Sequence, residues 1–160
     1  MIVRPAHDLD AGEMATLLNQ IIAIGGTTAI SGNINRDYIL EGMHGSRANG
    51  AWFVAETQEG EILGFQYIRP GSELPPEAVN IATFAKPGKQ GLGIGSKLFE
   101  ATRKAAAELG YTWINADIRA DNESGLAYYQ SRGFENYGVI EGYRMADGTI
   151  VNKVLKRLDL

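Results

Sequence analysis

The stretch Val79-Asn80-Ile81-Ala82-Thr83-Phe84-Ala85-Lys86-Pro87-Gly88-Lys89-Gln90-Gly91-Leu92-Gly93-Ile94-Gly95-Ser96 decides the reading of this 160-residue chain. Val79 to Ala85 is rich in β-branched, aromatic and small residues, as a buried strand requires, and Pro87-Gly88 ends it. Three glycines then alternate at 91, 93 and 95. Glycine takes positive φ, and without a Cβ it lets backbone come close to a ligand. Ile94, Leu98, Ala101, Ala105 and Leu109 recur at helical spacing up to Gly110, so strand, glycine turn and helix follow one another. Such a turn aims backbone N–H groups and the positive end of a helix at one point, which suits an anion; a diphosphate is the natural guest.

Spacing narrows that guest. A dinucleotide fingerprint, G-x-G-x-x-G, counted from Gly91 puts Ser96 where its third glycine belongs. The nucleoside-triphosphate loop, aligned on Gly88 and Gly93, meets Ile94 and Gly95 in its Lys and Ser/Thr places. Gln90-x-x-Gly93-x-Gly95 instead resembles the [Arg/Gln]-x-x-Gly-x-[Gly/Ala] pyrophosphate loop of the GNAT superfamily of acetyl-CoA-dependent N-acetyltransferases. Asn122-Glu123-Ser124-Gly125-Leu126-Ala127-Tyr128-Tyr129-Gln130-Ser131-Arg132-Gly133-Phe134 resembles the family's other signature, in which Asn precedes a helix carrying Tyr and then Gly-Phe. Ile2-Val3-Arg4-Pro5-Ala6 and Val79 to Ala85 match the family's layout too, so the resemblance covers nearly the whole chain. Gly125 departs from the alanine that members often carry, at a small expected cost in helix stability. Residues 2 to 31, with Gly26-Thr27-Thr28-Ala29-Ile30, are similar to the phosphinothricin and methionine sulfoximine acetyltransferases.

The resemblance implies acetyl-CoA as cosubstrate and direct attack of an amine on its thioester. It implies that Phe84 and Ala85 offer strand backbone to the pantetheine arm and the acetyl carbonyl. The amides of Gly91, Leu92, Gly93, Ile94, Gly95 and Ser96, with the Gln90 side chain, would hold the diphosphate. Asn122 would meet the pantetheine end, and Tyr129 would protonate the departing thiolate, the two having pKa values of the same order. Tyr128 is the rival phenol, about 100° around the helix; Tyr129 keeps the family's distance to Gly133-Phe134. Core packing against Leu126 is the other use for such an aromatic. Thr28 and Ile30, on a loop able to line a pocket, and Asn80 are candidate acceptor contacts. Asn80 stands where the subgroup carries a glutamate base, and an amide cannot take that proton. Glu73, Glu77, Asp117 or an ordered water remain for that role. Lys86, Lys89 and Lys97 either attract the 3′-phosphate of coenzyme A or form a solvated face. A homodimer is a further implication.

Outward from these motifs, Met14, Leu17, Leu18, Ile21 and Ile22 predict a first helix near residue 11, with Asp10 and Glu13 as a capping pair. A second helix is expected over 35–44. Ala51 to Glu56 and Ile62 to Ile68 read as a hairpin. Thr112 to Ile118 reads as a strand, Asn122 as the cap of a shorter helix, and the alternating Tyr137, Val139, Tyr143 and Met145 as a strand that returns through Asp147-Gly148 over 150–158. The predicted fold is α/β, a mixed sheet with helices on both faces in the order β-α-α-β-β-β-α-β-α-β-β, as one domain over 1–160. A net charge of −4 argues against nucleic acid or an anionic membrane as partner. With no cysteine, thiolate metal sites and cysteine nucleophiles are excluded, and no metal is expected. No signal peptide or membrane-length apolar run is seen, so a cytoplasmic location is expected. The expected activity is acetylation of a small, amino-acid-like primary amine; acetylation of a protein or peptide, and acyl-CoA sensing without turnover, are the alternatives.

Overall fold

The computed structural model describes residues 1–89 and 91–160. In chain order its elements are β1 (Ile2–Pro5), α1 (Ala11–Ile24), α2 (Arg36–Gly45), β2 (Ala51–Glu56), β3 (Ile62–Arg69), β4 (Ala78–Ala85), α3 (Ile94–Glu108), β5 (Trp113–Arg119), α4 (Glu123–Ser131), β6 (Glu135–Arg144) and β7 (Ile150–Asp159), the expected order. The strands form one seven-stranded sheet, β1-β2-β3-β4-β5-β7-β6. Neighbours are antiparallel except β4 and β5; a parallel pair needs a crossover, and α3 supplies it. Ile62 to Ile68 is buried throughout because both sheet faces are covered. On one face Met14, Leu18 and Ile39 of α1 and α2 pack on Phe65, Tyr67 and Phe84. On the other, Ile94 and Leu98 of α3 pack on Ala55 and Leu63, while Phe99 of α3 and Tyr129 of α4 pack on Ile81, Ile114 and Ile118.

The β4–β5 ladder runs only from Ala78↔Trp113 to Asn80↔Asn115. Beyond it β4 stays paired with β3 as far as Ala85, and β5 with β7 as far as Arg119. The sheet therefore splits between β4 and β5, and the split positions the site. Among the described residues, no helix is long and apolar enough to cross a membrane.

Three local expectations are corrected. Asp10 does not cap α1 with its side chain. Its carboxylate accepts Arg4 Nη1 and Nη2 at 2.8 and 2.9 Å and the His7 N–H at 2.7 Å, while Glu13 accepts the Ile62 N–H at 2.7 Å; a guanidinium is the stronger partner for a carboxylate. The buried stripe of α3 is Ile94, Leu98, Phe99, Thr102 and Ala106. Phe99 buries more apolar area than Ala101 and turns the helix toward itself, and Leu109, just past the last turn, is exposed. Tyr137, Val139 and Tyr143 do not mark a core face either: all three are exposed, and bulges between Asn136 and Gly138 and between Ile140 and Tyr143 break the alternation.

Candidate active site

A cleft of about 700 Å³ opens at the split. Its walls are the carboxyl ends of β4 and β5, the start of α3, one side of α4 and the loop Thr27–Ala29, the place where open sheets with parallel strands bind ligands. Gly91 and Gly93 take φ of 85° and 74°, and a Cβ on either would meet nothing within 4 Å. Backbone conformation, not crowding, demands glycine there. Gly93 caps α3 without any side chain, and the first turn holds no acid, so the leading N–H groups and the positive helix end stay available to an anion. Gly95 has a different reason: a Cβ there would stand 2.6 Å from Tyr128 Cε1. Lys86 and Lys89 reach the cleft and Lys97 does not; Lys86 already pairs with Glu61. Gln90 lies outside the described residues.

Tyr129 is buried between Tyr128 and Phe134, with ring centroids 4.9 and 5.1 Å away, and it lines the cleft. Burial pushes its phenol far above the ordinary range, against a smaller opposing effect of the hydrogen bond to Thr83. Tyr129 Oη lies 2.7 Å from Thr83 Oγ1. Gln66 Nε2 donates to Thr83 Oγ1 at 2.9 Å and to Tyr128 Oη at 3.1 Å, and Tyr128 Oη donates to the Gly95 carbonyl at 2.8 Å. Tyr128 therefore does not point away from the site; it ties α4 to the glycine turn. Gln66 is fully buried and Thr83 half-buried. Sequence reading missed both: each is a polar residue inside an apolar strand, and their cross-strand register, Gln66↔Thr83, was the one signal that could have joined them.

Asn122 starts α4 by accepting the Gly125 N–H at 3.0 Å, and its Nδ2 donates to the Thr27 carbonyl at 2.9 Å. Gly125 is the residue this cap needs, since a Cβ would lie 2.3 Å from Asn122 Nδ2; the expectation of a merely helix-weakening glycine is corrected. Arg119, absent from the sequence reading, donates Nη1 to the Thr28 carbonyl at 3.0 Å and grips Asp121 through Nε and Nη2 at 3.0 and 2.7 Å. The loop after α1 is thus strapped across the cleft. Thr28, Phe84, Ala85, Gly91, Gly93, Ile94, Gly95, Ser96, Asn122 and Tyr129 meet at this cleft, whereas Ile30, Asn80 and Leu92 lie off it. Ile30 packs against the core beneath α1, and Leu92 is exposed. The Asn80 amide is engaged by Asn115, whose Nδ2 donates to Asn80 Oδ1 and Asp117 Oδ1, both at 2.7 Å. Of the acids considered as base, Asp117 lines the cleft and Glu73 and Glu77 do not.

Comparison with known proteins places these features. A family model described as "Acetyltransferase (GNAT) family" matches residues 29–134. YwnH of Bacillus subtilis (strain 168), named provisionally as a phosphinothricin acetyltransferase, is 26% identical over 165 aligned residues, covering 100% of this chain and 95% of that one. A ribosomal-protein-alanine N-acetyltransferase from Brucella melitensis superposes with a TM-score of 0.87 at 19% identity over 100% of both chains. A phosphinothricin acetyltransferase from Sinorhizobium meliloti, solved in complex with AcCoA, gives 0.83 at 18% identity over 99% of this chain and 88% of that one.

Proposed function

The chain belongs to the GNAT family of acetyl-CoA-dependent N-acetyltransferases, and from that premise we propose that residues 1–160 act as one domain acetylating the primary amine of a small, amino-acid-like molecule. The observation that carries this reading is the cleft at the β4–β5 split, with a glycine-rich helix start at one end and a buried phenol on its wall. The residues present fit the cosubstrate: Gly91 and Gly93 hold positive φ with open space beside them, and β4 from Ile81 to Ala85 has a sheet edge beyond its pairing with β5. The strap of Thr27 and Thr28 tied to Asn122 and Arg119 narrows access to the cleft, which favours a small acceptor over a chain segment.

In this reading the amides of Gly91 to Ser96 bind the diphosphate, the free edge at Phe84 and Ala85 orients the pantetheine arm, and Asn122 closes over its end. Bound acetyl-CoA supplies an activated thioester carbonyl. Tyr129 donates its proton to the departing sulfur. An acceptor amine of lysine-like pKa must lose about 3 units to react at neutral pH, a cost of ~4 kcal/mol, so a proton acceptor beside it is needed. Asp117 supports that role best, because among the described residues Asn115 engages its Oδ1 alone and Asp117 lines the cleft.

Calorimetric titration with acetyl-CoA tests the binding half. Thiol release with phosphinothricin, methionine sulfoximine, lysine, spermidine and a peptide amino terminus tests the acceptor. Turnover on a small amine supports the reading, and turnover on the peptide alone would replace it. Tyr129→Phe should lower kcat by ~10²-fold with little change in acetyl-CoA affinity; full activity would remove the phenol from the reaction.

A further inference from the structure

The buried chain behind Tyr129 has a direction, and the proton positions can be worked out from its far end. The Gly95 carbonyl can only accept, so the Tyr128 hydroxyl, 2.8 Å away, spends its proton there. Tyr128 Oη must then accept from its other neighbour, which fixes the Gln66 atom 3.1 Å away as the amide nitrogen. That same nitrogen sits 2.9 Å from Thr83 Oγ1 and donates its second proton to it. Gln66 Oε1 has no partner among the described residues, which is what an amide turned nitrogen-first toward two oxygens leaves behind. Thr83 now accepts from Gln66 and keeps one proton of its own, and Tyr129 Oη, at 2.7 Å, is the oxygen beside it.

We propose that Thr83, aligned by Gln66, is a positioning residue that donates its hydroxyl proton to Tyr129 Oη and so directs the phenol's own proton into the cleft. The inference rests on Tyr129 as the proton donor. When the Tyr129 O–H bond breaks and its proton passes to the departing sulfur, the oxygen keeps the electron pair as phenolate, and the Thr83 O–H, which stays intact, holds that charge. The proton released by the attacking amine, returned through solvent, restores the phenol. A buried phenolate with no donor is strongly disfavoured, so the hydroxyl at position 83 matters for the transferred state far more than for resting stability. Along β4 the neighbours of Thr83 on the same face, Val79 and Ile81, are apolar, and valine fits the same volume as threonine.

Two variants and two measurements test the idea. Thr83→Val removes the donor at nearly constant shape, and Thr83→Ser retains it. With the panel amine that turns over fastest, Thr83→Val should lower kcat by roughly 10-fold to 100-fold, the size expected for a lost hydrogen bond to a charge. The acetyl-CoA dissociation constant, measured by calorimetry, should stay within about twofold, and Thr83→Ser should recover most of the rate. Independently of turnover, 3,5-difluorotyrosine placed at position 129 acidifies the phenol and reports its ionisation by fluorine NMR. Its midpoint should move to higher pH in Thr83→Val and stay in place in Thr83→Ser. An unmoved midpoint, a valine variant with unchanged kcat, or a serine variant as slow as the valine one would overturn the proposal. Tyr129→Phe run alongside separates the two levels: if it leaves kcat intact, the proton-donor reading fails and this inference with it. If it lowers kcat while Thr83→Val does not, this inference alone fails.

Discussion

Replacing Gly95 by alanine separates two reasons for a glycine at the start of a helix. At an uncrowded helical position the exchange would stabilise by up to ~1 kcal/mol, because alanine is the better helix former. Here the new Cβ would lie 2.6 Å from Tyr128 Cε1, 3.1 Å from Cζ and 3.3 Å from Cδ1. Tyr128 cannot swing aside freely, since its hydroxyl is held by the Gly95 carbonyl and by Gln66, each bond worth about 1 kcal/mol net. Losing both costs ~2 kcal/mol and residual crowding about 1 more, against the ~1 kcal/mol gained in propensity. The variant should therefore be less stable by about 2 kcal/mol, a fall in Tm of roughly 4 to 8 °C for a chain of this size. Scanning calorimetry reads the shift directly. With Tyr128→Ala already in place the clash is gone, and the same exchange at 95 should become neutral or stabilising, a non-additivity that marks contact. A rise in Tm in the otherwise unaltered protein would refute the reasoning and leave Gly95 without a packing role.

Two further perturbations address the cleft and the acid response. Gly93→Val forces a β-branched residue to φ of 74° and narrows the phosphate path, so the acetyl-CoA dissociation constant should rise by ~10-fold or more; an unchanged value by calorimetry would detach the loop from the diphosphate. Asp10 has its pKa lowered, first by the hydrogen bond from Arg4. A depressed carboxylate stabilises the fold above its unfolded value near 3.8 and loses that contribution as pH falls through the folded one. Urea midpoints of Asp10→Asn should thus lie below the parent at pH 7 by an amount worth about 1 kcal/mol. The gap should shrink as the pH falls below the unfolded value near 3.8, and a gap that did not vary with pH would sink the assignment.

The strand, glycine turn and helix were legible because glycine at Gly91 and Gly93 and the apolar recurrence from Ile94 onward are local signals, each readable within a few residues. That Tyr129 lines the cleft was legible through its distance to Gly133 and Phe134, and the Asn122 cap through the helix it begins. What stayed hidden was non-local. Gln66 and Thr83 are 17 positions apart and meet only through the β3–β4 register, and the Tyr128 hydroxyl reaches a carbonyl 33 positions away, so the angular rule for neighbours on a helix misjudged where its polar end goes. Asn80 was placed by likeness to a glutamate; Asn115, on a strand that pairs with it only in three dimensions, had already engaged its amide. The buried stripe of α3 failed for a simpler reason, in that spacing alone does not weigh Phe99 against Ala101.

The short β4–β5 ladder leaves Ile81 to Ala85 as a strand edge inside the molecule. Edges of this kind are ordinarily hazards, ready to pair with any extended chain. Here α3, α4 and the loop at Thr27–Ala29 fence it, and in the function proposed above an extended small molecule whose amides complete the ladder takes the edge. Melting temperature and occupancy then become one thermodynamic variable: at a hundredfold excess of ligand over its dissociation constant, mass action alone adds about 2.7 kcal/mol to the folded state. Stability comparisons among variants of this protein are therefore comparisons of saturation as well, unless each sample is stripped of ligand first.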